Sequence, residues 1–163
     1  MKPRILISVV VAVAAFILVG LAIADSHTKN FRASLDGYHE TSLSISTNGT
    51  GSFRARLNPA GDELTYELQY SGLEGGNTLF AHVHLGQMGT TGGVMFFLCG
   101  GGGQAPCPAS PATVRGTVTA GNVIGPAGQG VSHAMRAGSA YANVHTVTYP
   151  SGEVRGQINE EQF

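Results

Sequence analysis

The sequence contains no tryptophan, two cysteines and two lysines, and aromatic residues make up only 7% of its 163 positions. Charged residues are scarce too, at 12%. A single long apolar run occurs: Ile5 to Ala24 holds no charged residue across 20 positions and follows Lys2 and Arg4. A basic start, an apolar stretch and the small-x-small triplet Ala22-Ile23-Ala24 before Asp25 are the marks of a secretory signal. The run is also long enough to span a bilayer as an uncleaved anchor. Residues 1–24 therefore read as a signal peptide or N-terminal anchor, and 25–163 as a single exported domain. That domain is expected to be secreted, periplasmic or at the cell surface.

Beyond the apolar run, seven bases face ten acids, a net charge of −3, and Lys29 is the only lysine. Such a surface has no electrostatic footprint for nucleic acid and no polybasic patch for an anionic membrane. Nucleic acid is excluded as a main partner, and a membrane enters only through the N-terminal segment.

The 24 glycines and an apolar fraction of 42% suit many turns between short strands rather than disorder. Leu64, Tyr66, Leu68 and Tyr70 alternate with Thr65, Glu67 and Gln69, and Phe53, Ala55 and Leu57 alternate with Arg54 and Arg56. Leu43 and Ile45 alternate with serines in the same way. A period of two marks strands with one buried face. Further strands are expected at Phe31–Leu35, Leu79–Leu85, Val94–Leu98, Val114–Thr119, Ala140–Thr146 and Glu153–Ile158. Turn signals such as Asn58-Pro59-Ala60-Gly61 and Tyr149-Pro150-Ser151-Gly152 separate them. The expected fold is all-β: an antiparallel, Greek-key-like β-sandwich or barrel of eight to nine short strands. One short helix is expected at Val131–Arg136, after a loop at Gly125–Gly130.

Cys99 and Cys107 bracket a run of four glycines. In an exported chain this pair reads as a disulfide. The alternative, a metal or redox dithiol, lacks both Cys-x-x-Cys and an adjacent histidine. The glycine run is no phosphate loop, since no Gly-Lys-Ser/Thr follows it; it reads as a flexible loop tip.

The sharpest chemistry lies in Ala81-His82-Val83-His84-Leu85 and Tyr141-Ala142-Asn143-Val144-His145. Residues two apart on a strand share a face, so His82 and His84 point one way, as do Tyr141, Asn143 and His145. A third segment places Glu153, Arg155 and Gln157 opposite Val154 and Ile158, and the turn around Pro150 makes it a hairpin partner of Tyr141–Thr146. Neighbouring strands would gather these polar faces into one cluster. Three neutral imidazoles at His82, His84 and His145 suit copper or zinc. The competing reading is a buried hydrogen-bond network with Asn143, Glu153 and Arg155. Glu153 and Arg155 could equally form an exposed ion pair.

His27, His39 and His133 read as exposed and unliganded. Asp62 and Glu63 read as solvated beside a turn. Asn48-Gly49-Thr50 reads as a hairpin turn or a glycosylation acceptor. No Gly-x-Ser-x-Gly nucleophile elbow occurs.

Taken in order, Tyr70-Ser71-Gly72-Leu73, Ala81-His82-Val83-His84-Leu85-Gly86, Gly92-Gly93-Val94, Arg136-Ala137-Gly138, Tyr141 to Thr146 and Tyr149 to Ile158 resemble the chordin-type (CHRD) domain. The likeness runs from about Phe31 to Ile158, and the cysteine loop resembles that of bacterial members. The resemblance implies an exported, stand-alone microbial form with no assigned catalytic residues. The domain is named for chordin, an antagonist of bone morphogenetic proteins that also carries cysteine-rich modules. Those modules are absent here, so growth-factor binding does not carry over. The His-x-His strand is also similar to one in copper/zinc superoxide dismutase, but no zinc loop accompanies it, which argues against dismutase activity.

Three functions follow as expectations. One is a non-enzymatic binding or structural module with a protein or polysaccharide partner. Another is a copper- or zinc-binding exported protein. The last is a redox enzyme on that metal, for which neither an open coordination position nor a basic rim is visible.

Overall fold

A computed structural model describes residues 27–41, 43–128 and 130–161 of the protein. The signal or anchor expected at 1–24 lies outside them. Nine strands form one antiparallel sheet: β1 (Lys29–Asp36), β2 (Thr50–Leu57), β3 (Leu64–Ser71), β4 (Thr78–Leu85), β5 (Val94–Cys99), β6 (Ala112–Val118), β7 (Ala140–Thr146), β8 (Val154–Gln157) and β9 (Asn159–Glu160). Their order is β5-β4-β7-β8-β1-β2-β3-β6, with β9 added beside β1. The sheet curls into a nearly closed barrel, as the alternating pattern predicts. The sequential hairpins are β1-β2-β3, β4-β5 and β7-β8. The non-sequential pairs β3–β6, β4–β7 and β8–β1 are the crossovers of a Greek-key-like arrangement.

The core fills the barrel. Phe31, Ala33 and Leu35 of β1, Phe53, Ala55 and Leu57 of β2, and Leu64, Tyr66, Leu68 and Tyr70 of β3 all point inward and are buried. Arg54, Arg56, Thr65 and Gln69 stand exposed between them. Inward-facing phenols would be costly without partners. Tyr66 donates to the Leu98 carbonyl (2.8 Å) and Tyr70 to that of Pro108 (2.5 Å), which ties β3 to the β5 side of the open seam.

Three local expectations change. Leu43–Ile45 forms no strand, because no neighbour pairs with it: Ile45 N–H instead donates to Gly37 O (2.8 Å), and Leu43 is 73% exposed. The Asn48-Gly49 turn closes no hairpin; it ends a long connection from β1 to β2. The expected loop at Gly125–Gly130 contains a single helical turn, α1 (Gly125–Gly128), ahead of α2 (Val131–Arg136).

Cys99 and Cys107 form a disulfide, with Cα atoms 4.9 Å apart. The glycine run between them is more than a loop tip. Gly100, Gly102 and Gly103 have positive φ, a conformation that favours glycine. The backbone of Gly101 and Gly102 lies so close to the Phe97 ring that a Cβ on either would stand 2.5 and 2.8 Å from it. Replacing both cysteines by alanine is expected to cost about 2.5 kcal/mol through restored denatured-state entropy. Urea titration of the double variant checks this, and an unchanged midpoint would contradict it.

In the middle of β4 and along β7 and β8 both faces of the sheet are covered. Ala81, Val83, Ala142, Val144 and Val154 join the barrel core. Every residue of β7 is buried, including the outward set Tyr141, Asn143 and His145. Covering loops reach this outer face from the β1–β2, β4–β5 and β7–β8 connections, and they enclose the polar side chains described next.

A three-histidine cluster under the loops

Antiparallel pairing brings the three histidines together. In the β4–β7 register His82 faces Asn143, His84 faces Tyr141 and Phe80 faces His145. Strand β8 lies on the far side of β7, pairing Arg155 with Asn143 and Gln157 with Tyr141. His82 and His145 are 4% and 5% exposed, and His84 is half-buried. One ring nitrogen of each lies within 4.8 Å of the others.

The tautomers follow from the hydrogen bonds. His84 Nδ1 faces the Gly92 carbonyl (2.8 Å) and His145 Nδ1 faces that of Pro150 (3.0 Å). A carbonyl only accepts, so Nδ1 carries the proton in both rings. Their Nε2 lone pairs are left buried with no partner in the chain, as is His82 Nδ1. Burial pushes the His82 imidazole down to about 2, helped by His145 and His84 beside it. Burial also lowers His145 to about 4, against the pull of the Pro150 carbonyl. His84 is lowered chiefly by burial, with the Gly92 carbonyl opposing and Arg155 adding to it. Three neutral nitrogen donors therefore converge, two of them oriented by backbone carbonyls as metal-bound histidines commonly are.

Aromatic rings frame the cluster. Phe80 lies 4.9 Å from His145 and 5.5 Å from His82, and Phe97 meets His82 edge-on at 5.1 Å. Thus the glycine-rich disulfide loop backs the histidines through Phe97. Tyr141 stacks on His84 at 4.7 Å, with ring planes 4° apart. The Arg155 guanidinium carbon sits 3.4 Å from the Tyr141 ring centre, a cation–π contact.

Arg155 also fastens the covering loops. It donates to Thr41 Oγ1 (2.9 Å) and to the Thr90 carbonyl (2.6 Å). The Gln157 amide reaches the carbonyls of Gly86, Gly138 and Ala140. Asn143 and Gln157 thus lie beside the histidines, as the face pattern indicates.

Glu153 does not. Its backbone N–H pairs with Val144 O at the mouth of the hairpin, and its side chain turns to a separate buried node. There it accepts from Thr47 Oγ1, Thr146 Oγ1, and the Glu74 and Gly75 N–H groups. The carboxyl near Arg155 is Glu40, which the sequence reading missed. It ends a short helical turn, Gly37–His39, capped by the Asp36 side chain. Burial pushes Glu40 up to about 7, against the opposing influence of Arg155 and a hydrogen bond with Asn143. Gly152, at φ +130°, makes room for it: a Cβ there would stand 2.5 Å from Glu40 Oε1 and 2.6 Å from Asn143 Oδ1. Asp36-Gly37 is a turn signal, but nothing local in the sequence aims Glu40 at Arg155.

His27, His39 and His133 are exposed. His39 pairs with Asp36 (2.7 Å). Asp62 lies in an exposed turn, where it accepts from Asn58 (2.8 Å).

A family model described as the CHRD domain matches residues 31–158. No curated protein and no solved structure matches the chain.

Proposed function

This chain belongs to the CHRD domain family, and from that premise we propose an exported, non-enzymatic binding module, residues 25–163, that holds one copper or zinc ion on His82, His84 and His145. One observation carries the reading: each of the three histidines keeps a buried ring nitrogen with no hydrogen-bond partner, and one ring nitrogen of each lies within 4.8 Å of the others. A purely structural network pairs its buried polar atoms, because an orphan costs roughly 1 to 3 kcal/mol. A metal ion satisfies all three at once. The disulfide fits a location outside the cytoplasm.

The test uses protein purified from the exported fraction without a histidine tag. Saturable binding of one copper or zinc ion is expected, and His82→Ala or His145→Ala should weaken it by at least about 100-fold. Absence of saturable binding at micromolar metal would return the histidines to a structural role and turn attention to protein or polysaccharide partners.

A further inference from the structure

We propose that the ion is copper(I), bound by three ligands and in preference to zinc(II) and copper(II). This rests on the metal-site reading above and narrows it through the charge and shape of the surroundings.

The donor set is neutral. Among the described residues no carboxylate joins the three imidazoles, and both cysteines are spent in the disulfide. Glu153 is engaged at its own node, and Glu40, packed with Asn143 around Gly152, lies outside the three-histidine group. The cost of burying an ion without counter-charge rises with the square of its charge, so a divalent ion is penalised far more than a monovalent one.

A fixed positive charge stands close by. The Arg155 guanidinium lies 3.4 Å from the Tyr141 ring that stacks on His84. It is held by Thr41 and Thr90 and cannot swing away without breaking those bonds. A second positive charge on the ion would add to this repulsion, which acts across the Tyr141 and His84 rings.

Among the described residues no further histidine, cysteine or carboxylate joins the three imidazoles, and aromatic rings wall them in. Phe80 and Phe97 flank His82, and Phe80 also packs on His145. Zinc(II) takes a tetrahedral fourth ligand, and copper(II) takes a tetragonal set that includes oxygen donors. Copper(I), with a filled d shell, is satisfied by three nitrogens. The carbonyls of Gly92 and Pro150 hold two of those donors in place.

Untagged protein from the exported fraction is titrated anaerobically with copper(I), using ascorbate as reductant and bicinchoninate as competitor. Zinc(II) and copper(II) are titrated separately against chelators of known affinity. The expected result is one copper(I) per chain, held at least about a thousandfold tighter than either divalent ion and released in folded His82→Ala and His145→Ala variants. X-ray absorption of the unsubstituted copper(I) protein carries the test if those variants fail to fold; a shell of three nitrogens is expected. Zinc(II) or copper(II) affinity equal to copper(I), or a four-ligand copper(I) shell, overturns the copper(I) assignment and leaves a metal site standing. No saturable ion, or copper(I) retained by folded variants, overturns both.

Discussion

Glu153→Gln is expected to cost roughly 3 to 5 kcal/mol of stability, although the side chain keeps its shape. Glu153 is 0% exposed, and both its oxygens are used twice over. Oε1 accepts from Thr47 Oγ1 (2.8 Å) and Glu74 N–H (2.7 Å), and Oε2 accepts from Thr146 Oγ1 (2.8 Å) and Gly75 N–H (3.0 Å). A carboxylate is acceptor-only, which suits four donors. A glutamine must place its NH2 at one of the two positions. Either orientation sets donor against a backbone N–H that cannot rotate away. The hydroxyls can rotate, so Thr47→Val should cost only about 1 kcal/mol. Urea titration compares the two variants. A Glu153→Gln loss no larger than that of Thr47→Val would show that the node is not built around acceptor geometry. The carboxylate joins the loops before β2 and after β3 to the β7–β8 hairpin, so its failure should loosen the covering of the histidines.

The second large effect is a loss of stability of the metal-free protein toward acid. Above pH 6.5, the ordinary imidazole value, the clustered histidines are neutral in both folded and unfolded chains. Below it, the unfolded chain takes up protons that the folded chain refuses until about 4 at His145 and about 2 at His82. The unfolded state then binds more protons, and stability falls with pH. His84 is lowered too and acts in the same direction. Glu40 acts in the opposite one. Folded, it keeps its proton up to about 7, whereas its ordinary value is 4.5, so falling pH in that interval favours the native state. Three imidazoles outweigh one carboxyl, and between about pH 6.5 and about pH 4.5 stability should fall by on the order of 2 kcal/mol per pH unit. Glu40→Gln removes the opposing contribution, so its slope should be steeper than that of the unsubstituted protein. Urea titrations across this range, with metal chelated, measure both slopes. Stability that is flat toward acid, or a shallower slope in Glu40→Gln, would refute the assignment.

These two carboxyls also mark where the linear reading stops. The strand alternation of Leu64 to Tyr70 and the paired faces around Val144 and Val154 follow from side-chain period alone, because neighbours in sequence decide which face is buried. The same rule placed His82 beside His84 and Asn143 beside His145 before any pairing was known. It assigned Glu153 to that face as well. Glu153 sits just before β8, where the chain is still turning, so the strand period does not govern its direction. Leu43 and Ile45 show the limit from the other side: alternation without a partner strand makes no strand.

By itself the sequence determined the all-β class, the cysteine bridge, the hairpin around Pro150 and the family, because each depends on local spacing or on an ordered set of motifs. Tertiary structure alone decided that β4 pairs with β7 and so gathers the three histidines. It alone also put Glu40 and the glycine loop behind Phe97 around them. Those neighbours come from distant parts of the chain. Charge, burial and the number of available donors are properties of that gathering, not of the linear spacing.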